Sequence, residues 1–389
     1  MNTRYCRTFW FVSLLIGLWP VALMAQGKPE KDYLVYVLSE AADKIALIRF
    51  GPDGVRVDRE VNTGDMPVDI DGPHGIAMSP DREFYYVTNA HGRPFGTVWK
   101  YSTKDNTPVG KTTLGYFPAT LDVTPDGVFL FVVNFNLHGD MVPSTVSVVS
   151  TQTMTEVARI QTCTMPHGSR LNVQGTKQYS ACMMDDMLVE IDTRTLKVAR
   201  HFIVTKSKEK GLIGPPKAGA SQSTHSMHGA GHGSEAPKPG DGSCSPTWAE
   251  PSVDGASIFV ACNGSSEIVE VNASTWQLVR RIPARAGVYN LEATHDGQRL
   301  IATNKRDQSI SVYELKSGRE LARLATKRKV LHGVVVSPDD RYAFVTVEGV
   351  GTEPGTVEII DLLALKTVAT IDVAPGAAGI DFYKQDLHD

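Results

Sequence analysis

Imidazole and sulfur are the side chains of this sequence best suited to chemistry, and both recur in pattern. His74 and His91 bracket the stretch GPHGIAMSPDREFYYVTNAHG. His167 and His332 stand in the similar contexts MPHGSRL and VLHGVVV, and His138 follows FVVNFNL. Neutral imidazole is the commonest protein ligand for borderline transition metals, and several converging rings bind copper or zinc. The plain alternative for each residue is a turn histidine bonded to neighbouring backbone.

A second group lies in THSMHGAGHG, which holds His225, Met227, His228 and His232. Imidazole and thioether together suit copper, whose two oxidation states prefer different donors. The surrounding segment, 206–243, is rich in Gly, Pro, Ser and Lys and has no aromatic residue, so it is expected to be a disordered insert. On such a segment these ligands would capture or transfer metal; otherwise the segment is a plain linker.

The sulfur pattern is Cys163 and Cys182, then Cys244 and Cys262 at almost the same separation. Disulfides Cys163–Cys182 and Cys244–Cys262, each within one structural repeat, are the preferred reading. Pairing across repeats comes next and thiolate ligation of a soft metal last.

What must position these residues is a repeat. Turns of the Pro-Asp-Gly kind, or a relative of it, recur in IAMSPDREFYYVTN, LDVTPDGVFLFVVN, LNVQGTKQYSAC, SVDGASIFVAC, EATHDGQRLIATN and VVVSPDDRYAFVTV. Each is flanked by short apolar strands, with a third and fourth strand following. Four strands returning about every 45 residues mark a β-propeller blade. Six blades are explicit. The N-terminal strands YLVYVLS, KIALIRF and VRVDREV lack an inner partner, and GAAGIDFY near the C-terminus supplies one. The expected fold is therefore all-β: a seven-bladed propeller of four-stranded antiparallel blades, closed by a C-terminal inner strand that leaves no bare sheet edge.

In an antiparallel hairpin, the start of one strand and the end of the next lie at the same edge. That geometry places His74, His91, His138, His167 and His332 on one face, at the mouth of the central channel. Three residues beyond the His74 slot, the repeat places Asp122, Arg170, Glu250, Glu292 and Asp381 near the axis.

Residues 1–25 read as a secretory signal peptide: Arg4 and Arg7, an apolar run, then Ala22 and Ala25. Residues 26–389 then form one domain, periplasmic or secreted, with no transmembrane segment after cleavage. A formal charge of −4, more acidic without that leader, gives no expectation of nucleic-acid binding. No P-loop, G-x-S-x-G, H-E-x-x-H or C-x-x-C-H motif is present, so a standard enzyme is not indicated.

The string YYVTN, echoed by FVVN, IATN and FVTV, resembles the YVTN-type β-propeller repeat family. The resemblance spans nearly all of residues 26–389 and implies a propeller, with activities ranging from binding to lactonase-like hydrolysis. Three readings follow. The first is a propeller that binds a ligand on the channel-mouth face, copper being the preferred metal. The second is a metal-free, monomeric scaffold for a protein or glycan of the cell envelope. The third is a lactonase-like hydrolase using His167, Arg170, Glu250 and Glu292 as base, electrophile and acid.

Overall fold

A computed structural model describes residues 28–65, 69–92, 94–216 and 243–387. The residues assigned to a signal peptide, and His225, Met227, His228 and His232, lie outside the described residues. Among those described, no helix is long and apolar enough to cross a membrane.

Seven antiparallel sheets are formed, six of four strands and one of five. Blade one shows the pattern, with strands Pro73–Met78, Phe84–Asn89, Thr97–Ser102 and Pro108–Thr113 running outward from the axis. The inner strands of blades two to six are Pro118–Val123, Pro166–Leu171, Pro246–Pro251, Val288–Ala293 and Leu331–Val336. In blade seven the inner strand is Ala377–Leu387, paired with Lys31–Ser39 from the other end of the chain. Consecutive inner strands touch all the way round, and blade seven touches blade one, so the ring is closed.

The recurring turn has a side-chain cause. In SPD, TPD, SVD, THD and SPD the first hydroxyl donates to the Asp two residues on: Ser79 to Asp81, Thr124 to Asp126, Ser252 to Asp254, Thr294 to Asp296 and Ser337 to Asp339. Such local bonds favour a turn over a continued strand. The Thr of the YVTN-like string joins blades. Thr88 donates to Ala119 O, Thr303 to His332 O and Thr346 to Ala378 O, each on the next inner strand. Apolar clusters fill the space between neighbouring blades; one joins Tyr36 and Leu38 of blade seven to Ile76 and Tyr85 of blade one.

Two expectations need correction. The insert assigned to 206–243 is not structureless throughout. Lys210–Ile213 adds a fifth, outermost strand to blade three, pairing with Arg200–Ile203, and Glu209 meets Arg281 at 2.6 Å. Pairing on a sheet edge needs backbone groups rather than apolar burial, so composition gave no sign of it. At the other end, Ser243, Cys244 and Ser245 are tied to the Asp186 carboxylate.

The disulfides are Cys163–Cys182 and Cys244–Cys262, the preferred pairs. Only the second lies within one blade. Cys163 belongs to the outermost strand of blade two, Thr155–Thr164, which runs on almost to the inner strand of blade three; its bridge to Cys182 therefore joins two blades. Two disulfides point to an oxidising, non-cytoplasmic location.

Candidate functional site

The histidine slot is built by a bulge. Register with the second strand shifts between Pro73 and Ile76, and again between Pro118 and Leu121, Pro166 and Ser169, Val288 and Leu291, and Leu331 and Val334. A bulge re-aims the side chain it carries, and here it directs His74, His167, Tyr289 and His332 toward one another across the axis. The following glycines allow the approach. A β-carbon on Gly75 would collide with Ala119 O, on Gly168 with Thr247 O, and on Gly379 with His74 O.

The five predicted histidines do share one face, but in two groups rather than one site. His74, His167 and His332 are 6%, 2% and 4% exposed; their ring centroids lie 4.9 Å apart for His74–His332 and 5.9 Å for His74–His167. His91, whose side chain is 31% exposed, and His138 lie 5.5 Å apart in the mouth. Phe117 stands between the groups, packed on His74, His91 and His138. The split arises because His91 and His138 follow the second strand, one step further from the axis than the bulge.

Glu40 connects the groups. His91 Nε2 donates to its Oε1 at 2.6 Å and His74 Nδ1 to its Oε2 at 2.9 Å. Burial opposes ionisation of Glu40, but the charge and hydrogen bonds of His74, then those of His91, hold its carboxyl well below the usual range.

The inner group has a fixed proton pattern. Thr247 O can only accept, so His167 Nδ1 donates to it at 3.0 Å. Burial, then the charge of His74, pushes the His167 pKa down to about 3. The ring is neutral and its Nε2 accepts from the Tyr289 hydroxyl at 3.0 Å. The Tyr289 oxygen then accepts from His332 Nε2–H at 3.3 Å, which leaves His332 Nδ1 a bare lone pair. That atom and His74 Nε2 are buried without a partner.

Below this layer lies the acidic one. Arg170 is 3.3 Å from Glu292 and 3.6 Å from Glu250, and its guanidinium covers the Trp248 ring. Burial works against the Arg170 charge, but Glu292 and then Glu250 hold it protonated; burial pushes the Glu250, Glu292, Asp122 and Asp381 carboxyls up. His167 is bonded to Thr247 and Tyr289, not to this ion-pair group. The axial cavity beside Arg170 is about 40 Å³, room for a few water molecules and not for a lactone ring.

The mouth is different. A cavity of about 1480 Å³ is lined by Glu40, Asp65, Asp69, Asp71, Asp140 and Glu348 with His91 and His138, and by the aromatic rings of Phe95, Tyr116 and Phe117. Two of these carboxylates are paired, Asp65 with Lys111 and Glu348 with Lys305. No described Lys or Arg lines the cavity. Among the described residues no group of three or more His, Cys, Asp or Glu side chains is arranged to hold a metal ion. Met165 is core, in a cluster with Phe117 and Phe135 against which Met183 and Met184 pack.

Sequence reasoning missed Glu40, Lys305 and Glu348. All three follow directly the last residue of a second strand, as Ser39, Asn304 and Val347 pair with Ala377, Val288 and Leu331. The same alignment that found the histidine slot, read one residue past the motif's final position, would have found them.

The sequence matches no protein-family model and no curated protein. Solved structures do resemble it. The periplasmic gluconolactonase PpgL of Pseudomonas aeruginosa aligns over 90% of this chain and 99% of its own, at 15% identity and a TM-score of 0.67. Hydrazine synthase of Kuenenia stuttgartiensis aligns over 82% and 92%, at 20% identity and a TM-score of 0.60. A functionally unknown protein from Desulfotomaculum acetoxidans gives 13% identity and a TM-score of 0.61. At these identities the likeness is one of fold.

Proposed function

We propose that this is an exported YVTN-type propeller whose channel mouth binds a cationic ligand, in the first instance a transition metal such as copper. The observation that carries the reading is the mouth cavity itself, with six carboxylates and two imidazoles and no described basic side chain in its lining. Low-dielectric walls concentrate the field of such a cleft and raise the local concentration of cations. The test is metal uptake by a variant lacking residues 217–242, before and after adding His91→Ala and His138→Ala. The double substitution should remove about one equivalent of copper per chain, since imidazole is its preferred donor here. Unchanged uptake overturns the reading.

A second reading is lactonase-like hydrolysis, supported by the fold shared with a gluconolactonase and by a mouth wide enough for a sugar lactone. Such chemistry would run at His91 and Glu40 rather than at Arg170. Lactone hydrolysis above the spontaneous rate, lost in Glu40→Gln and independent of added metal, would favour it over the first.

A further inference from the structure

We infer that the mouth takes an alkyl oligoamine, a chain with two or more ammonium groups separated by methylenes, and seats its stem on the paired rings of Phe95 and Tyr116. The inference rests on the reading of the mouth as a cation site and names an organic class of cation for it. The two rings line the cavity as a stacked pair with centroids 5.1 Å apart, and they are 43% and 46% exposed. Ile70, also exposed, lines the same cavity. Wet apolar surface gathered in a cavity marks a place where something binds. The pair stands on tied backbone. Gly96 N donates to Gly115 O at 3.0 Å, Leu114 N to Gly96 O at 2.9 Å, and Asn136 N to Tyr116 O at 3.0 Å. A wall formed in advance costs little ordering when a ligand arrives.

The carboxylates around the rings decide the charge of the occupant. Asp65 is paired with Lys111 and Glu348 with Lys305, while Glu40 is shared by two imidazoles. Asp71 accepts from Asp65 N at 2.6 Å. Asp69 and Asp140, both exposed, form no ion pair among the described residues. Asp69 lies in the connection from blade seven to blade one, and Asp140 in the loop after the second strand of blade two. Phe95 follows the second strand of blade one, and Tyr116 precedes the inner strand of blade two. Around the ring, the aromatic pair therefore falls between the two acids. Separated negative charges with an apolar wall between them match ammonium groups joined by methylenes. Each ammonium meets a carboxylate, the methylenes cover the rings, and an ammonium over a ring face gains cation–π attraction. A hydrated metal ion has no apolar part to set on Phe95 and Tyr116. The cavity, about 1480 Å³, holds such a chain with room to spare.

Isothermal titration calorimetry of the full chain, in buffer freed of transition metals, compares the triamine spermidine with magnesium. Spermidine should bind about tenfold more tightly than magnesium, and should lose about that factor when Phe95→Ala and Tyr116→Ala are combined. Asp69→Asn with Asp140→Asn should weaken spermidine as well, and more at low salt than at high. All four side chains are exposed, and an unchanged melting temperature verifies the fold of each variant. Equal affinity for magnesium, or full spermidine affinity in the ring variant, overturns the inference, because the acidic field alone then accounts for binding. Copper uptake by the same wild-type protein separates the two claims. Uptake of copper without spermidine sinks the inference alone; uptake of neither sinks the cation reading with it.

Discussion

Tyr289 donates its hydroxyl proton to His167 Nε2 across 3.0 Å, and so joins the inner strands of blades three and five over the channel. The same oxygen accepts from His332 of blade six. One phenol thus settles the protonation of two buried rings.

Tyr289→Phe removes both bonds and strands two ring nitrogens away from water. Each buried group left without a partner costs about 1–3 kcal/mol, so a loss of about 3 kcal/mol is expected. Urea unfolding measures it; a loss below 1 kcal/mol would show that the rings find other partners.

His167 gives the protein an acid-sensitive stability. In the unfolded chain an ordinary histidine takes up a proton near pH 6.5, whereas the folded ring does so only near about 3. Below pH 6.5 the unfolded state holds the extra proton. Stability therefore falls with pH, by up to about 1.4 kcal/mol per unit for one group, until the folded ring also titrates. His332 is held low by burial and acts in the same direction. Glu250 and Glu292 are pushed up and act oppositely, gaining stability as pH falls. The wild-type curve minus that of His167→Phe isolates the ring: the difference should slope between pH 6.5 and 4 and be flat above 7.

Gly75→Ala tests the approach of neighbouring inner strands. The added methyl meets a backbone carbonyl, Ala119 O, which cannot rotate away. Overpacking of this kind costs about 1–3 kcal/mol. Gly297, with no atom near its β-carbon, is the contrast: Gly297→Ala is penalised only through its positive φ of 67°. Both variants should melt at a lower temperature, but altered histidine-ring NMR shifts are expected for Gly75→Ala alone.

Replacing Cys244 and Cys262 together by Ala removes a crosslink closing a short loop, worth about 3 kcal/mol in the chain-entropy treatment. Replacing Cys163 and Cys182 should cost a similar amount and also loosen blade two against blade three. Hydrogen exchange at Thr155–Thr164 reads that difference; equal protection in both double variants would refute the inter-blade role.

The architecture was largely open to inspection in the sequence because one turn device, a Ser or Thr bonded to an Asp two residues on, repeats between the first and second strands of five of the seven blades. The face of the histidines followed from hairpin geometry. Their division into two groups did not, since it depends on a bulge that leaves no mark on residue type. Cys163 was placed in the wrong blade because a ten-residue outer strand runs past the usual boundary. Lys210–Ile213 was read as coil because an outermost strand is made by backbone bonds to one neighbour and little else. Glu40 was overlooked because it precedes the first blade that displays the motif.

Blade seven draws its inner strand from the end of the chain and the rest from the beginning. Its interface with blade one is complete only when residues 377–387 have been made and have docked. A nascent or truncated chain is an open arc whose terminal blades each keep one apolar flank wet. Cutting away residues 377–387 would therefore unpair Lys31–Ser39 and reopen the whole circle rather than trim a tail.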